Sequence, residues 1–276
     1  MKMNELFSYT FGALRHELGH DRPKDQRPLW QRRLSTESAF CRALVTCGYM
    51  TEEQMQRAAE RYRLGCSRDG GIIFWQIDQI GQVYDGKIMY YRPDCHRDHQ
   101  RHPNWVSNLL KRHYLKDDCQ LAASIPSQHC LFGTHLLSNT NLTNQTNNGE
   151  LKNSSDSCNP CSEEKSNSCS EKKNICVVEA EKTAVIMSEL YPDYLWLATG
   201  GLYELTAQKL FPLRGRKIVL FPDTDEQGLA YATWYRVMQE AQRLLGQTIH
   251  LSAVLEQRAT KAQKAAKIDL VDLLFP

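Results

Sequence analysis

Glu179 directly follows the apolar run Ile175-Cys176-Val177-Val178, and Asp223-Thr224-Asp225 follows Lys217-Ile218-Val219-Leu220-Phe221 after a single proline. Each run is continuous and rich in β-branched side chains, as expected of a strand covered on both faces. In open parallel sheets, chemistry gathers outside the carboxyl ends of the strands. Carboxylates that meet there repel one another, so their juxtaposition calls for a compensating cation. Hard oxygen ligands suit magnesium, with manganese as a substitute; magnesium takes one or two carboxylates and keeps several waters. Such an ion stabilises charge on a transferring phosphoryl group. The same acids also fit a plainer role, because a helix N-terminus favours a negative cap. Taken singly, each acid fits the cap at least as well. Their joint occurrence in one β–α–β–α–β unit is what points to a shared site.

Other residues could attract phosphate or metal. Cys95, His96, His99 and His102 crowd one polar loop, interleaved with Arg97 and Arg101 and flanked by Arg92, Lys111 and Arg112. Zinc needs four ligands in tetrahedral array, and no second pair lies close by in sequence. A basic loop facing phosphates is the stronger reading of this stretch. Cys158 and Cys161 have the spacing of a metal or redox pair within a low-complexity stretch. Gly200-Gly201 allows either close approach of a phosphate or a tight turn. Tyr90, Tyr91 and Trp105 could stack on bases, although aromatics in a β segment more often serve the core.

The elements that would position these residues follow from pattern. Residues 1–34 read as a short helix and a loose basic arm. Residues 35–137 read as an α+β domain. It has helices from Ser35 to Arg63, the second opened by a capping box at Thr51-Glu52-Glu53-Gln54. A strand Ile72–Ile77 and a turn at 78–82 follow. Val83–Tyr91 carries its own Asp85-Gly86 hairpin signal, and a helix spans Trp105–Tyr114. Residues 138–173 are nearly devoid of large apolar side chains and read as a disordered linker. Residues 174–276 alternate strand and helix, which predicts a parallel sheet. Its helices are expected at Glu181–Leu190, Tyr203–Leu210 and Glu226–Leu245, and its strands at 175–178, Tyr194–Ala198, Lys217–Phe221 and Ile249–Leu255.

Composition bounds the rest. The 276 residues are 41% apolar and 24% charged, with a net charge of +2, ordinary for a globular protein. Arginine and histidine concentrate in the first 120 or so residues, the expected electrostatic footprint. No apolar run approaches the roughly 20 residues that span a bilayer, and the N-terminus lacks the pattern of a secretory leader. A cytoplasmic protein without a membrane partner is expected, its ten cysteines free thiols. There is no Gly-x-x-x-x-Gly-Lys loop for small-molecule phosphotransfer.

Three segments carry a family resemblance. Val177 to Ala184 resembles the first toprim motif of bacterial-type primases, and Phe221 to Gly228 resembles their Asp-x-Asp motif with its following glycine. Lys267 to Leu274 is similar to the acidic, leucine-containing segment that closes the domain. Upstream, Phe40 to Gly65, Ile72 to Tyr91 and Leu131 to Leu137 resemble successive parts of the primase catalytic core. Trp196 to Leu202 resembles a run in toprim-like proteins carried on bacterial mobile elements. The resemblance implies an α/β, toprim-like (Rossmann-like) parallel sheet flanked by helices, preceded by a smaller primase-core-like domain. It implies Glu179 as general acid/base, Asp223 and Asp225 as metal ligands, and Asp269 as a further acid. Lys182 would join Arg92, Arg97, Arg101, Lys111 and Arg112 in binding nucleic acid. The implied cofactor is Mg2+, or Mn2+. The implied partners are DNA or RNA, single-stranded DNA foremost, with a helicase or a separate zinc-ribbon chain. Ala180 stands where the primase motif usually has glycine, Thr183 where it has a second acid, and no paired Cys-x-x-Cys precedes Ser35. Two expectations result: a metal-dependent primase-like nucleotidyltransferase in replication or transfer of mobile DNA, and a catalytically silent toprim-fold module that binds nucleic acid or a helicase.

Overall fold

Ser38 and Thr51 open successive helices by the same device, a side-chain oxygen accepting a backbone N–H three residues on. At Thr51 the capping box expected from the sequence is complete, with Gln54 reaching back to the Thr51 N–H. The computed structural model describes residues 29–114, 129–139 and 173–275. Most of the basic arm, nearly all of the linker, and Cys158 and Cys161 lie outside the described residues.

The first part contains α1 (Leu29–Arg32), α2 (Ala39–Thr46), α3 (Glu52–Tyr62), β1 (Gly65–Cys66), β2 (Ile72–Ile77), β3 (Val83–Met89), β4 (Asn104–Trp105) and α4 (Val106–Tyr114). The four strands form an antiparallel sheet in the order β1-β2-β3-β4. All of β2 is buried because successive side chains point to opposite, covered faces. Ile72 and Phe74 enter the main core, while Ile73, Trp75 and Ile77 pack with Val106 and Leu110 of α4.

The second part contains α5 (Leu136–Asn139), β5 (Ile175–Val178), α6 (Glu181–Leu190), β6 (Leu195–Ala198), a 3-10 turn (Gln208–Leu213), β7 (Ile218–Phe221), α7 (Leu229–Leu245), β8 (His250–Leu251), α8 (Val254–Arg258), α9 (Lys261–Ala266) and α10 (Leu270–Leu274). Its strands form a four-stranded parallel sheet, ordered β6-β5-β7-β8 and flanked by helices, a Rossmann-like arrangement. The fold is thus mixed α/β.

One continuous core runs from Phe40 to Val271 through both parts. Phe132 bridges backbone to backbone with Ala198 at the edge of β6, stacks on Tyr62 at 5.0 Å and meets Phe74 edge-on. The Tyr62 hydroxyl donates to the Trp196 carbonyl at 2.8 Å. Arg57 and Arg61 of α3 both pair with Glu189 of α6.

Four local expectations are corrected. Asp85-Gly86 makes no hairpin: β3 runs straight through it. The buried Asp85 carboxylate accepts the N–H groups of Gly86 and of Ser107 in the first turn of α4, and a Cβ at Gly86 would lie 2.7 Å from the Trp75 ring. Residues 203–210 hold a turn and the start of a 3-10 segment instead of an α-helix. Pro212 lies within that segment and has no N–H to extend a ladder. The last strand stops at Leu251, because the Ser252 hydroxyl accepts the Val254 N–H and starts α8. The long helix starts at Leu229 instead of Glu226, behind a left-handed Gly228 (φ 66°).

Candidate active site in an acidic cleft

The parallel sheet decides which acids meet. Val178 and Phe221 are partners in the β5–β7 ladder, so Glu179 and Asp223 leave neighbouring strands at the same end of the sheet. Both line a cleft of about 480 Å³ with Leu202, Thr224, Asp225, Gln227, Lys264 and Lys267 among its walls. The Leu202 N–H donates to Glu179. Burial, then the charges of Glu181 and Asp269, push the Glu179 carboxyl up to about 7, although Lys87 and the Leu202 bond favour its ionised form. Burial and the carboxylates of Glu179, Asp269 and Asp272 push Asp223 well above the usual carboxylate range, with Lys182 opposing. The Glu179 charge thus reaches Asp223 and disfavours its ionised form.

The other two acids are occupied differently. Asp225 accepts the N–H groups of Gln227, Leu229 and Ala230. Burial raises its carboxyl, but those three bonds and Lys267 outweigh burial and hold it below the ordinary value. Asp269 is the N-cap of α10. One oxygen takes the N–H groups of Val271 and Asp272, and the other takes the Thr183 hydroxyl. Both are helix caps by geometry, which for Asp225 is the plainer role that the sequence left open.

Lys182 sits inside the molecule, its side chain 13% exposed, 4.0 Å from Asp269 and 3.9 Å from Asp272. Thr183, at the position where the primase motif has a second acid, instead binds Asp269. The arginine loop lies elsewhere. Arg92 pairs with Asp94 at 2.8 Å, and Arg101 pairs with Asp69 while lying 3.5 Å over the Tyr90 ring. Arg97 and Arg112 are exposed, and Lys111 is half-buried on α4. Cys95 is buried, its thiol pushed up to about 12 by burial, while His96, His99 and His102 are exposed. Among the described residues, no three or more His, Cys, Asp or Glu side chains come together as a metal-holding group.

A family described as a domain of unknown function (DUF6371) matches residues 38–146 and 165–224, more than half of the chain. The chain belongs to that family. The matched stretches of this DUF6371 member contain Glu179, Lys182 and Asp223; Asp225, Lys267 and Asp269 lie beyond them. No curated protein matches the chain.

Several residues around the acids escaped notice in the sequence. Lys87 of β3 reaches across to the parallel sheet, where its ammonium pairs with Glu181 at 3.1 Å and donates to the Gly200 carbonyl at 2.5 Å. Nothing in the 94 residues separating Lys87 from Glu181 marks that partnership. Lys264 pairs with Glu256, which also accepts from the Thr224 hydroxyl. The three-residue spacing of Lys261, Lys264 and Lys267 was the available signal for that wall.

Gly200 is a tight turn packed on the protein's own carboxylate. Its φ is +89°, and an added Cβ would meet Glu181 Oε1 at 2.9 Å. Gly200→Ala is expected to lower folding stability by about 2 kcal/mol. Urea denaturation checks this; a loss near zero would mean the turn relaxes without disturbing the Lys87–Glu181 pair.

Proposed function

We propose that this chain is a toprim-like protein that acts on nucleic acid at the Glu179–Asp223 cleft, as a divalent-metal-dependent, primase-like nucleotidyltransferase in replication or transfer of mobile DNA. The observation that carries the reading is the pairing of β5 with β7. It sets two carboxylates at one open cleft, neither of them held in an ion pair among the described residues.

The donors present fit a hard divalent cation. Magnesium accepts one or two carboxylates and completes its shell with water, and Asp223 and Glu179 are two oxygen donors not used as helix caps. Asp223 would hold the ion, with Glu179 beside it. When bound, Mg2+ or Mn2+ would act as a Lewis acid toward a phosphoryl oxygen. Glu179, with its carboxyl at about 7, is suited to take and return a proton near neutral pH. The Leu202 N–H favours the ionised form of that carboxyl.

The capping roles of Asp225 and Asp269 favour a second reading, a catalytically silent module that binds nucleic acid or a helicase. A Mn2+ titration by calorimetry, run with primer synthesis on single-stranded DNA, separates the two. For the enzyme, Asp223→Asn is expected to abolish Mn2+ binding and synthesis. Glu179→Gln is expected to weaken Mn2+ binding roughly tenfold and to lower the rate by about 10²–10⁴, the usual worth of a general acid or base. Nucleic-acid binding unaffected by either substitution and by chelation, with no synthesis, leaves the module. Neither metal nor nucleic-acid binding by the intact chain would defeat both.

A further inference from the structure

Lys267 occupies a backbone position made for glycine. It ends α9 in the left-handed region (φ 56°, ψ 52°), where a residue with a Cβ is disfavoured and glycine is the usual choice. Arg63 ends α3 in the same conformation, so the backbone shape alone marks no ligand, and the side chain's place on the cleft carries the argument. The Lys267 side chain is exposed on the cleft wall, and its charge is felt by Asp225 without a close ion pair. Lys264 beside it is tied to Glu256, so Lys267 is the cation on that wall left open to a ligand. Arg258 and Lys261, both exposed, stand on the same short stretch of chain, again with no ion pair among the described residues. Arg92 and Arg101, by contrast, are each held in an ion pair with a carboxylate.

We infer that Lys267 is a phosphate-binding residue, and that the α9 edge of the cleft takes the phosphodiester backbone of single-stranded nucleic acid. The acid pair lines the same cleft, so a strand held at α9 brings its phosphates to those carboxylates. This inference rests on the proposed action on nucleic acid, and it assigns the contact to a surface other than the arginine loop.

Lys267→Gly in the full chain tests it, because the two roles of the residue then move in opposite directions. Glycine relieves the left-handed backbone, so the melting temperature is expected to rise. Binding of a fluorescein-labelled single-stranded oligothymidylate, followed by anisotropy, is expected to weaken roughly three- to tenfold. The slope of log K against log salt is expected to shrink by about 0.7, the worth of one lost phosphate contact on a single strand. Lys267→Arg should keep the charge and most of the affinity. A higher melting temperature with affinity and salt slope unchanged would overturn the inference and leave the proposed function standing. Mn2+ bound by a chain that ignores the oligothymidylate, or that takes thymidine triphosphate instead, would also overturn it.

Discussion

Lys87→Met is expected to cost about 3–5 kcal/mol of folding stability, the toll of leaving one member of a buried ion pair behind. The Lys87 side chain is 12% exposed and that of Glu181 is 3% exposed, so neither charge has water to fall back on. Methionine fills the space of the lysine stem but leaves Glu181 without its cation and the Gly200 carbonyl without its donor. Adding Glu181→Met should recover much of the loss, because it is the unpaired charge that is costly and not the missing attraction. Urea unfolding of the single and double variants checks both statements. A single variant within about 1 kcal/mol of the parent would show that water or another group takes over. The substitution should also reach the site. Lys87 favours the ionised form of Glu179, so its removal is expected to raise that carboxyl still higher.

Glu179→Gln is expected to stabilise the metal-free protein at pH 8, by about 3.5 kcal/mol at most, and to do little at pH 4. The Glu179 carboxyl rises from 4.5 in the open chain to about 7 in the fold. Between those values the folded state holds the proton more tightly than the unfolded state, so stability falls as pH climbs through the window. One pKa unit corresponds to about 1.4 kcal/mol, which sets the upper bound. Asp223 shifts in the same direction, so Asp223→Asn should behave alike. Glutamine keeps an acceptor for the Leu202 N–H, which makes it the cleaner substitution. Thermal melts from pH 4 to pH 8 measure the effect, and a parent protein equally stable across that range would remove it. Magnesium added at pH 8 should restore stability to the parent protein and less so to Glu179→Gln. If the pH dependence holds but magnesium changes nothing, the repulsion is real and the cation belongs to another reading. A residue whose removal stabilises the fold is what a functional site leads one to expect.

Periodicity and cap chemistry were enough to locate much of this protein. The runs 175–178 and 218–221 are apolar throughout; the first is buried on both faces, the second on one face and half-buried on the other. The Thr51 capping box is a contact between residues three apart, so it is complete within the local sequence. Glu179 and Asp223 could likewise be placed at strand ends from the strands alone. Tertiary structure decided what these acids do. Asp225 and Asp269 became caps because their following helices presented free N–H groups within reach, a matter of backbone geometry that residue type leaves open. Asp85-Gly86 has the composition of a turn, yet Trp75 packs where a Cβ would be and Ser107 supplies a partner, and both contacts arise only once the sheet and α4 have met. Lys87 and Lys182 look like surface charges in the chain and are interior partners of Glu181, Asp269 and Asp272 in the fold. Local preference acts over a few residues and can be read along the chain. Pairing of charges across 94 residues depends on how β3 comes to lie beside the start of α6, and that is settled by packing.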